Sequence, residues 1–368
     1  MPILTSEPAS SLASPPAAVD HPLDLRAAIR DLVRGFSIEA TVRTPNVAAA
    51  CAHWLAPGTR VYISMLPGQT YQQSAALAAQ LARAGLTPVP HVTARGLANL
   101  AIAEDFLTRV HGEAGVDRVL LLGGDRAMVA GPFDSSAALL ATGMLPRHGI
   151  RAIEVAGYPE GHPGIAEPVL QAALERKISL AREQGLELGV LTQFSFRPER
   201  IAAWVRQVQI AHAHLPGQLQ AVHPHPPGQG QSAHEQGQAE AVDAQLPGQA
   251  PAAHAQLPMA VGIAGPANVT TLLKYALRCG VFASVGLLGK QSGSVLRLLS
   301  EAGPEPVVQA LAAQSVVAQA AKVGAAQFSR CHLFSFGGIE RTARWARAVE
   351  QGHFELVGSD HHLSVGLN

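Results

Sequence analysis

Short apolar runs recur along the chain, and polar residues gather just past their ends. The runs cover residues 35–39, 61–67, 88–93, 119–125, 152–160, 188–193, 259–265 and 331–338. Each is too short for a helix, rich in Val, Ile and Leu, and bounded by Gly, Pro or charged residues, which predicts strands. Stretches with apolar residues at helical spacing separate most of them, at 46–55, 72–84, 97–111, 135–145, 166–184, 198–209 and 268–279. Two more, at 23–34 and 339–350, flank the series, and 290–322 adds helical sequence before the last strand. Alternation of this kind predicts an α/β fold, a (β/α)8 TIM barrel, whose chemistry sits at the carboxyl ends of the strands. Pro198 suits a first helical turn, and Asn268 with Gly280 suits a cap and a stop.

The expected organisation is one barrel domain over 23–350. A leader rich in Ser, Pro and Ala (1–22) precedes it, and a tail (351–368) follows. Residues 211–257 interrupt it with Ala, Gln, His, Pro and Gly, and Leu-Pro-Gly-Gln occurs there twice, at 215–218 and 246–249. Such a segment buries too little apolar surface to offset its ordering entropy, so a disordered insertion is expected. Its histidines leave a metal reading open on composition alone. Incidental low complexity is the plainer reading, and no metal site is expected.

Composition narrows the function classes. Hydrophobic residues make up 48% and charged residues 15%, enough for a large core. Lys+Arg and Asp+Glu balance at 27 each, so no basic field exists to hold nucleic acid or an anionic membrane. No apolar run is long enough to span a bilayer, and residues 1–22 lack a secretory pattern. Three scattered cysteines argue against a disulfide framework or zinc motif, and a cytoplasmic location with reduced thiols is expected. Rossmann, Walker, nucleophile-elbow and zinc-protease motifs are absent at strand–helix turns.

Several polar residues fall where a barrel does chemistry. Glu39 ends the first strand; desolvation there would raise its pKa and suit it to general acid work. A buried Glu paired with Arg43 is an equal alternative. Asp125 follows Gly123-Gly124, which lets backbone approach a ligand, though a cap or turn would look the same. Tyr158, Glu160 and His162 crowd one rigid turn between Pro159 and Pro163. His91 lies near the end of the third strand, where a structural imidazole is the commoner outcome. Gln193 offers donors and an acceptor that suit a heterocycle edge.

Taken in order, Pro90-His-Val-Thr93, Leu122-Gly-Gly-Asp125, Val155-Ala-Gly-Tyr-Pro-Glu-Gly-His-Pro163, Leu191-Thr-Gln-Phe194 and Cys331-His-Leu-Phe334 resemble the methylenetetrahydrofolate reductase family. The resemblance runs from about Gly35 to Arg344. It implies a flavoprotein barrel that binds FAD and uses NADH or NADPH to interconvert methylenetetrahydrofolate and methyltetrahydrofolate. It implies Glu39 as general acid and Asp125 beside flavin and pterin. Ser64, His91, Thr93, Tyr158, His162 and Lys177 would contact FAD. Gln193 would hold the pterin, and Tyr275 would stack on nicotinamide or folate. Members are often multimeric, which leaves a homo-oligomer open.

The chain departs from the family in three places. Gly123-Gly124 stands where many members carry Arg-Gly. Residues 169–174 lack the usual Asp and Asn. Phe336-Gly337-Gly338 replaces Leu-Asn-Arg, with Arg341 or Lys274 as substitutes. These departures keep two other readings in view: a folate- or flavin-binding barrel acting as a partner subunit, and a flavin-free folate methyltransferase.

Overall fold

The computed structural model describes residues 22–213, 257–281, 303–320, 327–358 and 361–366. Eight parallel strands close into a barrel in chain order. They are β1 (Ser37–Ala40), β2 (Arg60–Ile63), β3 (Thr87–Thr93), β4 (Arg118–Leu122), β5 (Ala152–Gly157), β6 (Glu187–Thr192), β7 (Met259–Ala264) and β8 (Arg330–Phe334). Closure comes from β8 against β1, with Ser37 beside His332 and Ile38 beside Leu333. The predicted (β/α)8 architecture is the observed one.

Helices wrap the outside, and their starts are legible in local chemistry. Thr70 and Gln73 form a reciprocal capping box for Tyr71–Arg83. Asn268 caps Val269–Arg278 by accepting from the Thr271 amide. The outward strand residues, among them Ile38, Val61, Ile63, Val119, Leu121, Ile153 and Val155, pack against these helices as one continuous core. A separate cluster fills the barrel itself: Tyr62, Val89, Leu120, Leu191 and Ala260. Alternation along each strand divides the two sets.

Several expectations need correcting. The predicted strands overran their carboxyl ends: Pro67, Asp125, Glu160 and Gly338 lie in loops, because the ladder stops where Gly, Pro and polar residues begin. The predicted helix at 135–145 breaks into Ser136–Ala141 and Met144–Arg147, since Gly143 takes a left-handed conformation (φ 65°). The helix expected from Leu97 begins at Leu100, capped by Asn99, and reaches Ala114.

The tail contains a hairpin, β9 (Glu355–Val357) with β10 (His362–Ser364). Buried Leu363 anchors it, and its amide donates to Gln309 at 2.7 Å. Of the added helical sequence, Glu305–Ala320 is a helix; residues 282–302 and 321–326 lie outside the described residues. So do residues 1–21 and 214–256, which hold nearly all of the predicted leader and insertion.

Candidate functional site

The carboxyl ends of the strands gather most of the predicted site residues. Glu39 lies in β1, His91 and Thr93 in β3, while Ser64, Asp125, Tyr158 and Gln193 lie at or just past the ends of β2, β4, β5 and β6. β1 is only four residues long, and Ser335 clasps its end by donating to the Glu39 carbonyl at 2.6 Å. Ser64 donates to the Ala40 carbonyl at 3.0 Å. These bonds fix the backbone that leaves Glu39.

Glu39 is held by a histidine that the site reading missed. His332 Nε2 lies 3.4 Å from Glu39 Oε2, and His332 Nδ1 lies 3.0 Å from the buried Ser37 hydroxyl. The ring has no exposed surface and packs edge-on against Tyr62 and Phe334. His332 lies in Cys331-His-Leu-Phe334, but its alignment with Glu39 depends on strand pairing across the closure.

The expectation of a raised Glu39 pKa is corrected. Burial does push the carboxyl up, but the hydrogen bond from His332, the nearby His91 and His332 rings and a Ser64 contact outweigh it, and the pKa falls below the usual carboxylate range. The Arg43 alternative also fails. That guanidinium bonds the Pro67 carbonyl instead.

His91 is buried, and burial lowers its pKa against an opposing pull from Glu39. Its Nε2 has no hydrogen-bond partner. An orphaned buried nitrogen beside a carboxylate fits a ligand heteroatom. Thr93 is engaged through Tyr71, whose hydroxyl lies 2.8 Å from the Thr93 carbonyl and 2.9 Å from its Oγ1.

Gly124 needs its glycine. Its φ is +91°, and a Cβ there would lie 3.2 Å from Thr93. The turn leaves Asp125 exposed. Burial and then the Asp125 charge raise the Tyr158 pKa. Burial, with the Glu39 and Asp125 carboxylates in reach, pushes the Cys279 thiol up to about 11. Cys279, which ends the helix Val269–Arg278, therefore feels both predicted catalytic carboxylates.

The remaining residues divide. Tyr158 and Lys177 line one groove between the helices Glu167–Glu183 and Pro198–Ala213, walled by Leu174, Ile178 and Trp204. Lys177 is buried there, and burial alone lowers its amine to about 8. His162 meets the Tyr158 ring edge at 5.2 Å, and its Nδ1 accepts from the Gly164 amide. Gln193 turns its Oε1 to the Phe194 amide at 3.1 Å. Tyr275 already stacks on Phe336 at 4.1 Å, inside an aromatic cluster with Phe194 and Phe334.

Among the described residues no group of three or more His, Cys, Asp or Glu is arranged to hold a metal, and no helix is long and apolar enough to cross a membrane. No family model matches the chain. Among solved structures, an NADH-dependent reductase A1-R′ responsible for alginate metabolism is 16% identical, with 44% of this chain and 78% of that one covered at a TM-score of 0.23. The same reductase complexed with NAD gives 15% identity, 46% and 83% coverage and a TM-score of 0.21. Likeness at that level assigns neither fold nor activity.

Proposed function

We propose that this barrel is an FAD-dependent reductase of the methylenetetrahydrofolate reductase type, using NADH or NADPH to interconvert 5,10-methylenetetrahydrofolate and 5-methyltetrahydrofolate. The observation that carries the reading is the Glu39 carboxyl at the mouth, held by His332 and coupled to His91, whose Nε2 awaits a partner. FAD, when bound, supplies the two-electron relay between nicotinamide and folate. Ser64, His91, Thr93, Tyr158 and His162 would hold it, with Lys177 as the cation for its diphosphate. The unpaired His91 nitrogen and the buried Lys177 amine fit that group.

Glu39 serves as the acid that protonates the folate nitrogen leaving the methylene carbon. In the free barrel its carboxyl sits low. A ligand that covers the mouth strips more water from it, and loss of water pushes a carboxyl up. Covering the site thus moves Glu39 toward the protonated form an acid needs. Asp125 supplies a fixed anion that favours the cationic state of the folate. Gln193, whose Oε1 is held by the Phe194 amide, would offer its amide nitrogen to the pterin edge. The chemistry runs through one transition state in either direction, so a physiological role in oxidising methyltetrahydrofolate fits equally.

A second reading has one observation in its favour. Tyr275 stacks on Phe336 at an interplanar angle of 13°, so one ring face is already covered. Gly337 and Gly338 beyond it present no side chain. A folate- or flavin-binding barrel that serves as a partner subunit would tolerate both. The visible spectrum of the purified protein separates the readings. A yellow sample bleached by NADH or NADPH is the expected result. A yellow sample that neither nicotinamide bleaches supports binding alone, and protein that cannot be loaded with FAD ends the reductase reading.

A further inference from the structure

The amino-terminal ends of the strands enclose a second polar cavity, of about 180 Å³, which the reductase reading does not use. We propose that it is a binding site for a small doubly charged oxyanion, of the phosphate or sulfate kind, held among Arg60, Arg118 and Arg330. These three open β2, β4 and β8. In a TIM barrel alternate strands contribute to one interior layer, so the three guanidiniums converge on the barrel axis.

Charge does not balance there. Two carboxylates face the three guanidiniums, and one of them, Glu187, is 75% exposed. Glu154 is the buried one, and both its oxygens are taken. Oε2 accepts from the Tyr62 hydroxyl at 2.5 Å, while Oε1 accepts from Arg330 and lies 4.0 Å from Arg118. Arg118 reaches Glu187 at 2.9 Å with its other nitrogen. Arg60 is left with no hydrogen bond or ion pair among the described residues. Burial, followed by the Arg330 and Arg118 charges, makes its cation costly. Arg330 is nine-tenths buried, yet its Nε–H meets no acceptor.

A dianion in this cavity answers each deficit. It accepts from Arg330 Nε and from Arg60, and its two charges match the two guanidiniums left over by Glu154, the one buried carboxylate of the lining. Guanidinium forks match the paired oxygens of such ions. The cavity has room for more than a single water, which needs only about 10–15 Å³ on the same scale. Water would satisfy the Nε–H but would leave the charge unbalanced.

The test is calorimetric titration of the full chain with sodium phosphate and, separately, sodium sulfate, at ionic strength fixed with sodium chloride. The expected result is one saturable site and a rise in Tm that chloride does not give. Arg60→Gln should weaken binding at least tenfold. In chloride alone that variant should melt no lower than the parent, because like-charge repulsion is relieved. Unsaturable heats, or equal affinity in the variant, would overturn the proposal. So would a variant that melts well below the parent in chloride, which would make Arg60 part of a satisfied network. Binding that survives Arg60→Gln but is lost in Lys177→Met would put the anion in the helix groove beside Lys177 and end the idea.

Discussion

The two ends of this barrel are both polar, and they handle charge in opposite ways. At the amino-terminal end, Glu154 collects bonds from Tyr62 and Arg330 and the attraction of Arg118. Arg60 and the Arg330 Nε–H aside, those groups answer one another. At the carboxyl-terminal end, His91 Nε2 has no partner and Asp125 stands exposed beside Tyr158, while in the helix groove that Tyr158 also lines the Lys177 amine is buried without a compensating charge. Paired groups stabilise, and removing one strands the other. Unpaired groups cost stability and persist where a ligand completes them. The sign of a deletion's effect should therefore differ between the ends.

The largest effect expected is on turnover. Glu39→Gln should lower folate turnover by about 10²–10⁴-fold, the usual weight of a positioned acid. Flavin reduction by nicotinamide should survive, as stopped-flow absorbance would record. Equal folate turnover in parent and variant would remove Glu39 from its role.

At the other end, Glu154→Ala should cost about 3–5 kcal/mol in urea unfolding, because it strands buried guanidiniums. A loss under 1 kcal/mol would break the contrast between the two mouths. Lys177→Met should do the reverse and raise stability at pH 7 by roughly 3 kcal/mol. The amine titrates at about 8 when folded against an ordinary 10.5. The unfolded chain thus holds more protons between those values, and the parent gains stability as pH rises through them. The advantage of the variant should fade by about pH 10.5, and its FAD affinity should fall.

Smaller effects sharpen the carboxyl-end account. His332→Phe should cost about 1–2 kcal/mol at neutral pH by removing a charge-assisted hydrogen bond. Glu39 is lowered in the fold, so that contribution is present above its ordinary 4.5 and is lost as pH falls through the folded value. The gap between parent and variant should narrow in melts taken below pH 4.5, leaving the share due to the Ser37 bond; a constant gap would mean His332 does not act through the Glu39 carboxylate. Asp125→Asn should move stability by no more than about 0.5 kcal/mol, as exposed sites do, while slowing folate reduction. A large stability change there would make Asp125 structural.

Periodicity along the chain determined much by itself. Eight apolar runs and their helical spacers give the barrel, because period-2 and period-3.6 burial is a local property of sequence. The cap at Asn268 was legible too, because an N-cap side chain acts on its own helix. A strand's polar end could be placed at the mouth, which located Glu39, Asp125 and Gln193.

Tertiary structure alone decided the rest. Pairing of β8 with β1 sets His332 against Glu39, and that contact reverses the direction of the carboxyl's pKa. Stacking of Phe336 on Tyr275 covers a ring that sequence left free. The gathering of Arg60, Arg118 and Arg330 from three strands around Glu154 has no local trace. Sequence carries the environment along the chain, whereas electrostatics depends on distances across it, and only the closed barrel sets those.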